Sequence, residues 1–148
     1  MLAWQFEGVI PGAPIGKGRP RGTKMGNHVR LYTPKRTADW ERSSALIMKN
    51  EWRAAPCDKV CRVEIVAVFP RPKRLLRKKD PHHRLWHSSK PDIDNVCKSV
   101  LDSMVMAGVI RDDTQVVELL AKSVYASKDE GPCVEVMMSS IDCSGPVE

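Results

Sequence analysis

The chain has 148 residues, enough for one domain with a hydrophobic core of its own. Hydrophobic residues make up 42% of it, which excludes a wholly disordered chain. Lys and Arg number 24 against 18 Asp and Glu, so the formal net charge of +6 favours an anionic partner such as nucleic acid or a membrane surface.

The sequence shows no sign of secretion or membrane insertion. Five cysteines, an odd number without a C-x-x-C pair, indicate free thiols and a cytoplasmic protein. The N-terminal residues lack the charged start and long apolar core of a signal peptide, and no run of about 18 apolar residues could span a membrane. Because no basic amphipathic helix is apparent, nucleic acid is the better anionic partner.

The first third of the chain predicts a strand, a loop and a helix. Residues 2–10 form the strand, and residues 11–31 form a surface loop rich in Gly and Pro. The cations of this loop either contact phosphate or are solvated in a linker. They are Lys17, Arg19, Arg21 and Lys24. The helix begins near Thr37, which suits its N-cap position. Its apolar face consists of Trp40, Ile47, Met48 and Trp52.

The middle of the chain combines a strand with a basic connection. Residues 60–69 alternate apolar and polar side chains, as expected of a strand with one buried face. Residues 70–90 are the most basic segment, and a long charged connection of this kind is typical of a functional or disordered loop. It could order on a nucleic-acid backbone. The cations assigned to DNA contact here are Arg71, Lys73, Arg74 and Lys90.

The last third predicts a helix, two strands and a tail. An apolar stripe over residues 95–106 indicates the second helix, and Gly108 suits the position just after its end. Residues 114–125 and 133–138 follow as strands, and residues 140–148 as a flexible tail.

These elements predict a single α+β domain over residues 1–148. Its strands form a mixed β-sheet, and the two main helices pack against that sheet. No internal repeat and no second domain are apparent.

The Asp residues are unevenly distributed. Five of the ten lie within 22 positions. These are Asp92, Asp94, Asp102, Asp112 and Asp113. A compact acidic cluster in a basic protein is costly unless a cation compensates the repulsion, and Mg²⁺ takes oxygen ligands of this kind. The pattern therefore suggests an enzyme that cuts a polyanion.

The spacing within the cluster indicates how it could work. Asp92 and Asp94 are two residues apart just before a helix, so their side chains point to the same side. Lys98 follows Asp94 by one helical turn, about 5–6 Å away, where an ammonium can hold a phosphate or stabilise a leaving oxygen. If the next strand runs back beside the helix start, Asp113 becomes a third carboxylate around one or two Mg²⁺ ions.

Three functional hypotheses remain open at this point. The first is a Mg²⁺-dependent nuclease. The second is a branched-DNA-binding protein without catalysis, whose acids serve as helix caps and surface charge. The third is a nucleotide phosphohydrolase, which is weakened by the absence of a G-x-x-x-x-G-K-[ST] phosphate loop. A calcium EF-hand starting at Asp92 fails, because Cys97 and Ser103 occupy the positions that require Gly and Glu.

The chain resembles the RusA family of Holliday junction resolvases, which are encoded largely by bacterial prophages and phages. The resemblance rests on KPDIDNVCK at residues 90–98, LD at residues 101–102 and DDTQV at residues 112–116. The segments GKGRPR at residues 16–21 and YTP at residues 32–34 are similar to the opening of the family.

The resemblance implies a homodimer that binds four-way junction DNA and nicks two strands symmetrically in recombination and repair, using Mg²⁺ or Mn²⁺. It also implies a mixed α/β fold. By motif position, Asp92, Asp94 and Asp113 are similar to the metal-binding acids of the family, and Lys98 to its catalytic lysine. Asp112 is similar to a neighbouring acid that either supports these ligands or joins them.

Overall fold

The computed structural model describes residues 4–147 and contains a five-stranded sheet, a separate two-stranded hairpin and two α-helices. In chain order the elements are β1 (Gln5–Pro11), β2 (Arg21–Met25), β3 (His28–Tyr32), α1 (Lys35–Glu51), β4 (Cys61–Phe69), β5 (Leu85–Trp86), α2 (Ile93–Ala107), β6 (Val116–Tyr125) and β7 (Cys133–Ser140). Short 3₁₀ helices cover Lys73–Leu75 and Asp113–Gln115. This confirms the predicted fold class, a mixed sheet with two main helices.

The sheet has the strand order β1-β7-β4-β6-β5. β4 and β6 are parallel, with Val63 opposite Leu119, and the other neighbouring pairs are antiparallel. Because parallel neighbours need a crossover, the chain leaves β4, passes through the basic segment and α2, and returns to start β6 beside the start of β4. This crossover carries every acid of the predicted cluster.

The hydrophobic core lies between the helices and one face of the sheet. Val96, Val100 and Met104 on α2 are fully buried, which confirms the predicted apolar stripe of that helix. They pack in one cluster with Ile65 of β4. Burial of each such side chain contributes about 1.5–3 kcal/mol, so this face fixes the rotation of α2 on the sheet.

The ends of α2 follow from local sequence. Gly108 adopts a left-handed backbone with φ of 76°, and its N–H donates to the carbonyl of Val105, which confirms the predicted helix end. The helix begins at Ile93, two residues before the predicted start, and Asp92 is its N-cap residue. Asp94 therefore lies in the first turn, where a carboxylate is favoured by the helix dipole.

The surface loop predicted for residues 11–31 is only partly correct. Its second half forms the β2–β3 hairpin, in which all ten strand residues are exposed. Gly26 enables the tight turn, with a φ of 61° that other residues disfavour. Of the first predicted strand, residues 2 and 3 lie outside the described residues. Residues 5–10 lie in β1, which excludes Trp4 and continues to Pro11.

The predicted N-cap of the first helix was wrong. α1 begins at Lys35, and Thr37 is buried inside its first turns. The Thr37 hydroxyl accepts from the Gly18 N–H at 3.1 Å and donates to the Gly16 carbonyl at 3.4 Å. Thr37 thus ties the incoming loop to α1 rather than capping the helix.

Lys17 joins the same loop to both helices. Its Nζ lies 2.8 Å from Glu41 Oε1 of α1 and 2.9 Å from Asp102 Oδ2 of α2. Burial disfavours the ammonium, but hydrogen bonds to the two carboxylates outweigh that cost and raise the pKa of Lys17. Lys17, predicted as a surface cation, is instead an internal anchor. Asp102, a member of the predicted acidic cluster, is one of its partners.

The basic segment over residues 70–90 is ordered by its own side chains. The Arg71 guanidinium donates to the carbonyls of Leu75 at 2.7 Å and His83 at 2.9 Å. Arg84 pairs with Glu130 at 2.7 Å and with Glu135 at 3.0 Å. The segment therefore takes a definite conformation without a nucleic-acid backbone to fold on.

Two strand boundaries differ from the predictions near the C-terminus. β7 continues through Ser140, whose hydroxyl accepts from the Trp4 N–H at 2.9 Å, so the predicted tail begins one residue later. β6 begins at Val116 rather than residue 114, because the preceding residues form the 3₁₀ helix. All five cysteines are free thiols, and no helix among residues 4–147 is long and apolar enough to cross a membrane.

The Lys17 anchor predicts a stability effect that an exposed lysine would not have. Lys17→Met leaves the buried carboxylate of Glu41 without its cation, which should cost about 3–5 kcal/mol of unfolding free energy in urea titrations. Adding Glu41→Met should recover most of this loss, because no buried charge then remains at that position.

Lys24→Met is the matched control, since Lys24 lies on the exposed hairpin and should change stability by less than about 0.5 kcal/mol. Equal unfolding free energies for Lys17→Met and Lys24→Met would contradict the anchoring role.

Candidate active site

The beginning of α2 is held in place by the loop that precedes the hairpin. The Lys17 N–H donates to the Asn95 carbonyl at 2.9 Å, and Ser99 Oγ donates to the Ile15 carbonyl at 2.6 Å. Ser99 is fully buried, so this contact is shielded from water. The first turns of α2, which carry Asp94 and Lys98, therefore start from a fixed backbone.

One surface hollow brings together three of the predicted site residues. It lies between α2 and β6, and we call it the α2 hollow. Its lining residues are Ile93, Asp94, Cys97, Lys98, Leu101, Asp113, Leu119 and Ala121. Asp94 and Lys98 come from successive turns of α2, and Asp113 comes from the 3₁₀ helix that leads into β6. The crossover thus returns Asp113 to the side of the helix on which Asp94 and Lys98 lie.

Asp113 lies among other charged groups. Its hydrogen bond with Asp112, slight desolvation and the negative charges of Asp112 and Asp102 raise the pKa of Asp113, while the positive charge of Lys98 opposes the rise. This is the electrostatic setting in which a bound cation would relieve repulsion between carboxylates.

Asp92 lines two hollows at the start of α2. One shares Ile93 and Ala121 with the α2 hollow, and we call the other the arm hollow. This arm hollow, of about 630 Å³, lies at the root of the hairpin. Its charged lining residues are Lys17, Arg19, Arg21, Arg36, Lys90 and Asp92. A single carboxylate here sits among cations that could draw a phosphate backbone toward it.

The metal site itself remains a prediction. Asp94 and Asp113 share the α2 hollow, while Asp92 lines the arm hollow beside it. Within residues 4–147, no three His, Cys, Asp or Glu side chains are grouped so that they could hold a metal ion. The exposed carboxylates of Asp92 and Asp94 would have to turn toward Asp113 to share one ion.

Asp112 has a definite structural task. Its carboxylate accepts from the Thr114 N–H at 2.9 Å, which lowers the pKa of Asp112. It forms a capping box with Gln115 at the start of the 3₁₀ helix. A cap at this position fixes the backbone that carries Asp113.

Gln115 belongs to the DDTQV motif, but its role could not be assigned from the sequence alone. Its Oε1 accepts from the N–H groups of Arg111 at 2.6 Å and Asp112 at 2.9 Å. Its Nε2 donates to the carbonyls of Cys57 at 2.7 Å and Lys59 at 2.9 Å. The available sequence signal was its position three residues after Asp112, where a capping box places Gln.

The predicted DNA-contacting cations divide into exposed and internal groups. The side chains of Arg19, Arg21, Lys24, Lys73, Arg74 and Lys90 are exposed. The side chains of Lys17 and Arg71 are engaged within the protein. Lys17 pairs with two carboxylates, and Arg71 donates to backbone carbonyls.

Comparison with known proteins places this arrangement in a family. Residues 11–139 match the family described as Endodeoxyribonuclease RusA. The protein YqaN of Bacillus subtilis (strain 168), named as uncharacterized, is 27% identical over 137 residues, which cover 89% of this chain and 94% of YqaN. The crossover junction endodeoxyribonuclease RusA of Aquifex aeolicus (strain VF5) is 25% identical over 118 residues, which cover 80% of this chain and 76% of that protein.

The family match covers most of the chain, including the hairpin, both helices and the whole acidic crossover. It confirms the resemblance seen in the sequence and the prediction of an enzyme that cuts DNA. The chain belongs to the RusA family of endodeoxyribonucleases.

Proposed function

We propose that this protein resolves four-way DNA junctions by paired, symmetric nicks that depend on a divalent cation. The observation that carries the proposal is the α2 hollow, in which Asp94, Lys98 and Asp113 meet. Membership of the RusA family supports it, as does similarity to a relative named as a crossover junction endodeoxyribonuclease.

Asp92, Asp94 and Asp113 are the residues proposed to hold the cation, Mg²⁺ or Mn²⁺. Carboxylate oxygens suit these hard cations, and a cation would also relieve the repulsion between Asp113 and the nearby carboxylates of Asp112 and Asp102. A divalent cation held there would supply the Lewis acidity that activates water and neutralises charge on the phosphate. Asp112 is less suited to this role, because its carboxylate already caps the 3₁₀ helix.

Lys98 is proposed to act on the phosphate itself. It lies one helical turn beyond Asp94 and is exposed, so its ammonium can reach a phosphate in the α2 hollow. There it would hold the scissile group and stabilise the oxygen that departs when the phosphodiester bond breaks.

The proposed DNA-contacting surface is the segment of residues 19–33, which contains the β2–β3 hairpin. We call this segment the arm. Residues 8–38 contain seven Lys and Arg residues and no Asp or Glu. A two-stranded hairpin with both faces exposed is at best marginally stable in water, which favours an arm that lies against a partner. Because the root of the arm lines the same hollow as Asp92, DNA held by the arm would pass the acidic cluster.

A homodimer is proposed because the substrate has approximate two-fold symmetry. Paired nicks at symmetric positions require two equal sites, and an isologous pair of chains provides them. The proposed DNA contacts of each chain come from the arm and from the basic segment. They are Arg19, Arg21, Lys24, Lys73, Arg74 and Lys90; Lys17 and Arg71 are left out because they are engaged internally.

The central catalytic prediction concerns Asp113. Asp113→Asn keeps the shape of the side chain but removes its charge, so nicking of a synthetic four-way junction in Mg²⁺ should fall at least about 100-fold. Binding to the junction without metal should persist or tighten, because one negative charge near phosphate is gone.

Asp39→Asn is the matched control, since Asp39 is an exposed acid of α1 that pairs with Lys35. It should leave both nicking and binding unchanged. Wild-type protein that binds the junction but never nicks it in Mg²⁺ or Mn²⁺ would favour a binding protein without catalysis. Release of phosphate from free nucleotides, with junctions left intact, would favour a phosphohydrolase.

The arm predicts a change in the salt dependence of binding. Replacing Arg19, Arg21 and Lys24 together by Gln should weaken junction binding regardless of sequence. The slope of log K against log salt should become shallower by about 0.9 for each phosphate that the arm no longer neutralises.

A second triple variant provides the comparison: Lys49, Arg53 and Lys59 to Gln removes the same charge from the end of α1 and the segment that follows it. Lys49 lies about 21 Å along the helix axis from the first residue of α1. Fluorescence anisotropy at several salt concentrations measures both slopes. Identical slopes for the two triple variants would rule out specific phosphate contacts by the arm.

A further inference from the structure

The amide of Gln115 has an unusually complete set of partners for a side chain at the surface. A primary amide offers two donor hydrogens and an acceptor oxygen with two lone pairs. In Gln115 each of these four capacities meets a backbone group, two N–H groups on one side and two carbonyls on the other. The pattern also fixes which end of the amide is oxygen, because only that orientation satisfies all four partners.

The two sides of the amide belong to segments of different rigidity. On one side, Cys57 is fully buried, and its N–H donates to the Val109 carbonyl at 2.9 Å. Cys57 also forms a parallel bridge with Ile110. On the other side, residues 111–113 are exposed at the surface. Gln115 therefore connects an exposed acidic turn by hydrogen bonds to a segment that is anchored in the core.

The fastened turn is the one that carries Asp113 into the α2 hollow. Pairing with neighbouring segments fixes the chain at both ends of this turn, at Ile110 through its bridge to Cys57 and at Val116 through its pairing with Cys61. Only the five residues between them, 111–115, are available to position the Asp113 carboxylate. Asp113 contributes to the start of the 3₁₀ helix, and Asp112 caps that helix. The Asp112 cap sets the backbone conformation of the turn. The Gln115 amide then links the turn to the segment before β4 through the carbonyls of Cys57 and Lys59.

We propose that Gln115 is the positioning residue of the active site, holding the Asp113 turn so that its carboxylate faces Asp94 and Lys98. The inference rests on the proposed metal site and adds a residue that acts on it through Asp113 rather than by touching substrate. Ligands must be held within about 0.5 Å of their productive positions, and partners that orient them typically change metal affinity about 10–100-fold when removed.

Gln115→Met tests this most directly, because it keeps the length of the side chain and removes all four hydrogen bonds. The affinity for Mn²⁺ in the absence of DNA, followed by electron paramagnetic resonance, should fall about 10–100-fold. Raising the Mn²⁺ concentration should restore much of the nicking rate of Gln115→Met. It should not restore that of Asp113→Asn, in which a ligand itself is missing.

Gln115→Glu is the second variant, in case removal of all four bonds unfolds the protein. A glutamate can still accept from the Arg111 and Asp112 N–H groups, but its other oxygen would face the carbonyls of Cys57 and Lys59. It should keep the fold and still bind Mn²⁺ more weakly than wild type. Gln5→Met, at an exposed position of β1, is the matched control and should bind Mn²⁺ as wild type does.

The outcomes separate this inference from the proposed function. If wild-type protein binds Mn²⁺ no better than Asp113→Asn does, the metal site itself is wrong. If Asp113→Asn loses Mn²⁺ but a folded Gln115→Met or Gln115→Glu binds it as wild type does, the positioning role of Gln115 is overturned and the metal site stands.

Discussion

The ammonium group of Lys17 lies between the carboxylates of Glu41 and Asp102 and so joins α1 to α2 at the beginning of the arm. The position of α2 depends on this contact, together with the hydrophobic stripe that packs the helix on the sheet. The arm depends on it as well, because the chain leaves the body of the protein just after Lys17. One partly buried cation thus sets the geometry between the proposed DNA-contacting surface and the helix that carries Asp94 and Lys98.

The parallel pairing of β4 with β6 is the second determinant of the site. A parallel pair obliges the chain to cross over, and here the crossover contains α2 and the turn with Asp113. As a result, Asp92, Asp94 and Asp113 line adjoining hollows although Asp113 is distant in the sequence. The opposite face of α2 is buried and packs through apolar side chains such as Val96 and Val100. The cost of collecting like charges at the surface is eased by Lys98, whose charge acts on Asp113.

Local patterns were sufficient to predict α2, its end at Gly108 and the strands β4 and β7 to within two or three residues. These elements could be predicted because apolar periodicity and the backbone preference of glycine are visible in residues that are close together in the sequence. The β2–β3 hairpin was missed because neither face is buried. Only Val29 and Leu31 of β3 alternate with polar residues, and β2 shows no apolar alternation, so the pattern is too short to mark two strands. Its Gly26-Asn27 pair was the available signal, since such pairs favour two-residue turns.

The tasks of Lys17, Thr37 and Gln115 could not be predicted in the same way. Each depends on partners distant in the sequence, as with Gln115 and the Cys57 carbonyl 58 residues away. The sequence could supply a candidate set of acids through spacing and resemblance. Which cations remain free for DNA is decided instead by tertiary contacts, which engage Lys17 and Arg71 and leave Arg19, Arg21 and Lys24 exposed.

The central claim is that Asp94 and Asp113 serve one ion, and a double-mutant cycle on Mn²⁺ affinity tests it most directly. Asp94→Asn and Asp113→Asn should each weaken Mn²⁺ binding, and the double variant should bind only slightly more weakly than the weaker-binding single variant, because one shared site can be removed only once. Independent, additive losses of affinity, or wild-type affinity in either single variant, would contradict a shared ion.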